Sequence, residues 1–456
     1  MVWTVATMRR TASLALVLAW GITSTAHAAP PAAAPAARKG PYVQHVSSTS
    51  AVVRVELDAP AAVRVAVTPA GDAGAKVSGP DAGTDAGAAA SASKAFHSVR
   101  LDGLHPSTRY AYVVHVGERA LEGAFTTAPP HDTTAPVRFA VYGDNRTDHA
   151  AHGALVRAMA MTPADFFLQT GDLVAVGGDP AQWKTFFELE APLMRERCIF
   201  ATIGNHELYE SSGSEFAQYF GPEGAPQVIP DAGPPEQAYF ASTFRWGPAR
   251  FFLINAMVDY ERGPDRAWLE KALADADGER DLTWRIVALH HGPWSSGPHG
   301  ENARLHRAGV VELLRRHKVD LVLSGHDHLY ERGIVDGMPY VVSGGGGAPL
   351  YKVKVPRPYS RKSESVHHFV DAVLTRASLA ITVTRADGTV IERCGLPKSG
   401  TWDCDPPPAP PPPPPPPPPK STCGCRVAGG ASSPATWLGV VVAVWASWAR
   451  RRRPRD

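Results

Sequence analysis

Five short polar loops, each directly after an apolar, β-like run, constrain this chain more than any other feature. They are Gly143-Asp144, Gly171-Asp172, Gly204-Asn205-His206-Glu207, the end of Val287-Ala288-Leu289-His290, and Gly325-His326-Asp327-His328. The last follows Val319-Asp320-Leu321-Val322-Leu323-Ser324. Two histidines two apart at the end of a buried strand point their imidazoles the same way, which suits two adjacent metal ions. From Val137 onward the pattern is strand–loop–helix. Strands are expected at Val137–Tyr142, Asp165–Thr170, Cys198–Ile203, Arg250–Ile254, Trp284–Leu289 and Asp320–Ser324. Helices are expected at His149–Ala160, Pro180–Leu193, Arg266–Ala276 and Asn302–Arg316. This alternation predicts an α/β core with its site at the carboxyl ends of the strands. The run Gly344–Gly347 reads as a flexible loop near the same edge, and Leu379–Thr384 with Thr389–Ile391 reads as a final hairpin.

Ahead of this core, Lys39–Thr127 alternates apolar and polar residues in short runs. Strands are expected at Ala51–Leu57, Ala62–Val67, His97–Leu101 and Tyr110–Val116, with a flexible Ala/Gly/Asp-rich loop between Pro69 and Ser93. Such spacing predicts an antiparallel β-sandwich. The stretch Leu101-Asp102-Gly103-Leu104-His105-Pro106-Ser107-Thr108-Arg109-Tyr110 resembles the signature of fibronectin type III-like domains, and Phe125–Pro129 resembles their closing strand.

The N-terminus, residues 1–28, reads as an export signal: Arg9-Arg10, an apolar stretch, then Ala26-His27-Ala28. Near the other end, Pro406–Pro419 is an almost unbroken proline run, so 405–420 is expected to be a polyproline linker. Residues 421–456 hold Cys423-Gly424-Cys425, a short apolar segment and an Arg cluster. That tail resembles the sorting tails of myxobacterial surface proteins, which implies processing near the Cys by sorting machinery and display at the cell surface. A plain membrane anchor is the other reading. The formal charge of +2 rests on these ends. Without residues 1–28 and the chain from Cys423, eight Arg and one Asp leave a total of 46 basic and 44 acidic residues, so acids are in excess. Nothing in that balance argues for nucleic-acid binding. Cys394 and Cys404 are placed to form a disulfide, and Cys198 in its apolar run reads as a buried thiol.

Taken together and in this order, the five loops resemble the calcineurin-like metallophosphoesterase superfamily. The preceding fibronectin-like region and the ending Gly325-His326-Asp327-His328-Leu329-Tyr330-Glu331-Arg332 look most like its purple acid phosphatase branch. The resemblance implies a multidomain chain: a β-sandwich at 39–128, then an α/β catalytic domain at 136–395 built as a four-layer αββα sandwich. It also implies two metal ions drawn from iron, manganese or zinc. Asp172 then resembles the bridging carboxylate, Asp144 and His328 ligands of the first metal, and Asn205, His290 and His326 ligands of the second. His206 resembles the catalytic histidine that assists the leaving group, while Arg146 and His291 are left for substrate phosphate. Two positions depart from the branch. Ala175 stands where it has a ligating Tyr, and Arg146 stands where relatives without that Tyr often have a His. The first metal then keeps three protein ligands, unless His149 or His152 reaches it.

Single residues have blander readings. Asp144 or Asp172 alone would be a strand-end cap, His206 alone a loop histidine, and His290 or His291 alone a partner of a nearby carbonyl. Glu331 and Arg332 read as an ion pair supporting the loop. A stack of Trp183, Trp246, Trp268 and Trp284 reads as core. The expected function is an exported dinuclear-metal phosphohydrolase that cleaves phosphomonoesters with a metal-bound hydroxide. Its expected partners are a phosphate-ester substrate and, through the tail, a membrane or cell surface. A phosphodiesterase or nucleotide pyrophosphatase on the same site, and a non-catalytic surface module, are the alternatives.

Overall fold

A computed structural model of the protein describes residues 34–70, 88–221, 240–398 and 400–405. The expected export signal (1–28), the linker (405–420) beyond its first residue, and the tail (421–456) lie outside the described residues.

Five strands open the described chain: β1 (Ala37–Gln44), β2 (Ser50–Pro69), β3 (Ala88–Asp102), β4 (Arg109–Val116) and β5 (Arg119–Thr126). They pair in the order β1-β2-β4-β5, with β3 also on β2, and every pairing is antiparallel. The two strands expected at Ala51–Leu57 and Ala62–Val67 are one continuous strand, β2. Its register against β3 shifts between Glu56 and Ala61. Such shifts bend a strand, so the first half of β2 pairs with β1 and the second half with β4. Strand β3 already begins at Ala88, inside the span expected as loop; residues 71–87 of that span lie outside the described residues. Along β4, Tyr110, Tyr112, Val114 and Val116 are buried in alternation, so one face of this half is covered. The Tyr110 hydroxyl accepts from the His105 N–H at 2.9 Å, which ties the β3–β4 turn down.

The rest of the described chain follows the strand–helix order expected. Strand β6 (Val137–Tyr142) leads to α1 (His149–Ala160), β7 (Phe166–Gln169), α2 (Pro180–Met194), β8 (Ile199–Ala201) and α3 (Ser214–Phe220). Strands β9 (Ser242–Trp246) and β10 (Ala249–Leu253) come next, then α4 (Pro264–Asp277) and β11 (Trp284–Leu289). After α5 (Ala303–Arg307), α6 (Val310–Arg316) and β12 (Leu321–Ser324), the chain is almost all strand. These are β13 (Tyr330–Val335), β14 (Met338–Ser343), β15 (Ser360–Glu364), β16 (His368–Leu374), β17 (Ser378–Arg385), β18 (Val390–Pro397) and β19 (Asp403–Cys404). Helix starts are set locally. The Asp148 side chain accepts from the Ala150 and Ala151 N–H groups, and Asp179 caps α2 just ahead of Pro180. The single helix expected at Asn302–Arg316 is two, because Gly309 takes a left-handed φ of 66° between them.

Two seven-stranded sheets result, ordered β19-β18-β17-β16-β6-β7-β8 and β15-β13-β14-β12-β11-β10-β9. Within them β6, β7 and β8 run parallel, as do β10, β11 and β12. The sheets bury Phe139, Phe166 and Leu168 of one against Phe251, Ile286 and Leu323 of the other. On its outer face the first sheet packs against α1, α2 and α3 through Leu155, Trp183, Phe187 and Phe220. The second packs against α4, α5 and α6 through Leu269, Leu273, Leu305 and Leu314. The layers are therefore α, β, β, α. All four named tryptophans are buried as core, but they do not stack. Trp183 lies under α2, Trp268 under α4, and Trp246 and Trp284 between the sheets. Cys394 and Cys404 form the expected disulfide across β18 and β19, and Cys198 is a buried free thiol.

The Gly344–Gly347 run is a buried, hydrogen-bonded strip and not a flexible loop. Gly346 N–H donates to the Gly143 carbonyl at 2.8 Å, and Ala348 N–H donates to that of Asp144 at 2.7 Å. A Cβ at Gly344, Gly345 or Gly346 would run into the carbonyl oxygen of Asp327, Val366 or Gly143. The glycines are there for close backbone approach, and they pin the first polar loop in place. The front sheet meets the core at the residues after α2, through Tyr112 and Arg109, and at the end of α3. Arg54 donates through both Nη atoms, 2.7 Å each, to the carbonyls of Tyr219 and Gly221 at the end of α3. Lys39 Nζ reaches Glu56 Oε2 at 2.6 Å and the Tyr219 hydroxyl at 2.9 Å.

Candidate metal centre

All five polar loops meet where the carboxyl ends of the parallel strands of both sheets converge. Asp144 follows β6, Asp172 follows β7 and Asn205-His206 follows β8. From the other sheet, His290 follows β11, and His326 and His328 follow β12. Asp144, Asp172 and His326 are non-glycine residues at φ 55°, 59° and 70°. Such strained backbone persists only where its surroundings over-determine it, and it clusters at functional sites.

Backbone carbonyls fix the tautomers of the key imidazoles. His290 Nδ1 lies 2.8 Å from the Thr170 carbonyl and His328 Nδ1 lies 2.7 Å from that of Pro349. A carbonyl only accepts, so each Nδ1 carries the proton and each Nε2 offers a lone pair. Around the His290 lone pair sit Asn205 Oδ1 at 3.1 Å, His326 Nδ1 at 3.1 Å and Asp172 Oδ1 at 3.3 Å. Asn205 donates its Nδ2 to the Tyr209 hydroxyl at 3.1 Å, which turns its oxygen inward. The His328 lone pair sits 3.5 Å from Asp144 Oδ1. Ligand atoms of Asp144, Asp172 and His328 all lie within 4.8 Å of one another. Asp172 thus belongs to both halves of the cluster.

Charge tells the same story. Burial and the neighbouring Asp172 raise the Asp144 carboxyl well above the usual range. For Asp172, burial pushes upward, yet His290, His206 and Arg146 outweigh it and hold the group below its ordinary value. Burial keeps the imidazoles neutral: His290 and His326 are lowered, and His328 and His291 each fall to about 4. Neutral imidazole is the form that binds metals, and a cation beside Asp144 would offset the burial and like charge that raise its carboxyl. Asp144 Oδ1 is buried with no hydrogen-bond partner among the described residues. A buried acceptor without a donor is costly unless a cation meets it. By this measure the donors fit metal ions, and their mixture of oxygen and imidazole suits iron, manganese or zinc.

The remaining expected residues take definite places. His206 sits over the centre: Nδ1 is 2.7 Å from the Ala175 carbonyl, and Nε2 is 3.7 Å from Asp172 Oδ2. Its backbone N–H donates to Asp172 Oδ1 at 3.1 Å. Arg146 donates from Nε to Asp172 Oδ2 and from Nη2 to His328 Nε2, each at 3.2 Å. The His291 ring lies 4.3 Å from that of His326, and its Nε2 is buried with no partner among the described residues. His152 is not drawn into the centre. Its Nε2 pairs with the buried Glu190 at 2.7 Å, while His149 is exposed. Nor do Glu331 and Arg332 pair with each other. Glu331 accepts from Ser296 N–H at 2.7 Å and from the Tyr340 hydroxyl at 2.6 Å, and Arg332 grips Glu392 at 2.9 and 3.0 Å.

Two residues escaped the sequence reading. Glu207 is buried and accepts from the N–H groups of Asp172, Leu173, Val174 and Gly204 at 2.7–3.3 Å. It staples two ligand loops together. Burial and Asp172 push it up to about 8, against the pull of those donors. Glu207→Ala leaves these donors buried without an acceptor and is expected to lower stability by about 3 kcal/mol, read by urea unfolding. Asp327 turns away from its two histidine neighbours and holds Ser295 at 2.5 Å and His299 at 3.0 Å. Its position inside the Gly325–His328 loop was the only signal for it.

The calcineurin-like phosphoesterase family model matches residues 137–330. A probable purple acid phosphatase of Arabidopsis thaliana, number 20, is 30% identical over 244 residues, covering 52% of this chain and 55% of the relative. The chain spans about half the length of the curated relatives it matches. Among solved structures, a purple acid phosphatase from yellow lupin (Lupinus luteus) seeds aligns with a TM-score of 0.66 at 18% identity, covering 80% of this chain and 74% of that one. PhoD aligns with a TM-score of 0.61 at 13% identity, covering 80% and 91%. These two likenesses establish the fold. The matched span contains the whole donor set, with Asp144, Asp172 and His328 all inside residues 137–330. Residues 137–330 are thus similar to the calcineurin-like phosphoesterase family, and the relatives they match include purple acid phosphatases.

Proposed function

We propose that the chain is an exported dinuclear-metal phosphohydrolase acting on phosphate monoesters. The observation that carries the reading is the ring of inward-facing acceptors around the shared carboxylate of Asp172, with tautomers fixed from outside by backbone carbonyls. Asp144, His328 and Asp172 would hold one ion, and Asp172, Asn205, His290 and His326 the other. When bound, two such ions polarise a phosphoryl group and make water a nucleophile at neutral pH. The chain's own residues do the rest. Arg146, with its planar fork, and the unpartnered Nε2 of His291 face the place where phosphoryl oxygens would lie. His206, with Nδ1–H anchored on the Ala175 carbonyl, presents Nε2 to the centre, and as the imidazolium it delivers the Nε2 proton to the departing alkoxide and is left neutral.

The front sheet serves as a fibronectin III-like sandwich at 39–128, and the tail at 421–456 attaches the protein to the cell surface through sorting machinery. Antiparallel pairing, alternating burial along β4 and the Tyr110 clamp support the first statement. Composition of residues 1–28 and 421–456 supports export and display.

Turnover of 4-nitrophenyl phosphate against bis(4-nitrophenyl) phosphate by metal-loaded protein tests the substrate class. The monoester is expected to be favoured in kcat/KM by about tenfold or more, the worth of one charge-assisted hydrogen bond. Activity on the diester alone would overturn the monoesterase reading. A protein that retains no metal favours a surface binding module.

A further inference from the structure

Arg146 stands closer to the centre than a residue waiting for substrate needs to. Its Nε–Asp172 Oδ2 and Nη2–His328 Nε2 contacts, both 3.2 Å, use two of the three donors that would hold the first ion. The His328 nitrogen is a true acceptor here, because Nδ1 spends its proton on the Pro349 carbonyl. Arg146 is also well sheltered, with only 13% of its side chain exposed. The turn that carries it is fixed, since Asp148 N–H donates to the Gly347 carbonyl at 3.0 Å and Gly346 N–H to that of Gly143 at 2.8 Å.

From this geometry we infer that Arg146 is a built-in counter-cation for the first metal position, and that an ion enters there only by displacing it. The two ions therefore bind in order. The half made by Asn205, His290, His326 and Asp172 Oδ1 fills first, because Arg146 contacts none of these atoms. The other half fills second and more weakly, because a divalent ion and the guanidinium compete for Asp172 Oδ2 and His328 Nε2. A small, partly open cleft adjoins it, lined by Arg146, Thr147, His149, Ala175, Gln182 and Leu189, and the displaced side chain can turn toward it and the solvent. The small side chain of Ala175 helps keep that cleft open. Once moved, the guanidinium remains at the edge of the centre, free to meet phosphoryl oxygens. The inference rests on the two-ion reading above.

Titration of chelator-stripped full-length protein with Mn(II), followed by calorimetry and by elemental analysis after gel filtration, tests it. The wild type is expected to show a tight first ion and a second ion at least about tenfold weaker. Arg146→Met and Arg146→Gln each tighten the second step about tenfold or more and leave the first unchanged, and that unchanged first step reports a folded centre. His328→Ala abolishes only the second step, in both backgrounds. If the wild type binds two ions and neither Arg146 variant tightens the weaker step, the counter-cation role is wrong and the two-ion centre stands. If the wild type binds no ion, both fall.

Discussion

Asp172→Ala strips the centre of both ions and brings hydrolysis to background, a loss of about 10⁶-fold or more. The carboxylate reaches both halves, with Oδ1 3.3 Å from His290 Nε2 and Oδ2 facing Arg146 and His206. Without it, the first half keeps only Asp144 and His328, and the second only Asn205, His290 and His326. The backbone is held independently through Glu207, which accepts from the Asp172 N–H at 2.9 Å. The variant should therefore fold, and metal content by mass spectrometry reads the carboxylate itself. Full metal retention would refute its bridging position.

His206→Ala is expected to keep both ions and lose about 10²–10⁴-fold in kcat. The side chain contributes no donor to the acceptor ring, and its N–H to Asp172 survives truncation to Ala. What goes is Nε2 and the ring that packs 4.5 Å from Tyr209. If that nitrogen protonates the leaving group, the deficit should be large for an alkyl phosphate and small for 4-nitrophenyl phosphate, whose anion leaves unaided. An equal deficit for both esters would assign His206 to orienting the substrate instead.

Buried parallel strands made much of the centre legible in the sequence. Strands β6, β11 and β12 are covered on both faces, so each reads as a short apolar run, and the polar residue ending each run marks the site. Helix starts were equally readable, because Asp148 and Asp179 act on their own next residues. What escaped depends on partners far along the chain. Glu207 works through N–H groups of residues 172–174, which no side-chain pattern encodes. Composition made Gly344–Gly347 look loose, yet its neighbours at Gly143 and Asn145 require bare backbone. Strand β2 looked like two strands because Asp58-Ala59-Pro60 interrupts the apolar alternation, and a bend absorbs the interruption. The pairing of Arg332 with Glu392 joins two strands 60 residues apart in sequence.

The Arg54 grip on the end of α3 ties the fortunes of two regions. Gly221, one of its two carbonyl partners, caps the end of α3, and Phe240 packs onto Phe216 of the same helix. The same α3 shares a core with Leu173 and Ile203, which flank the ligand loops. Loosening β2 at Arg54 would therefore reach the core beneath Asp172 and Asn205, where Lys39, Tyr42 and His45 brace the same end of α3 beside it.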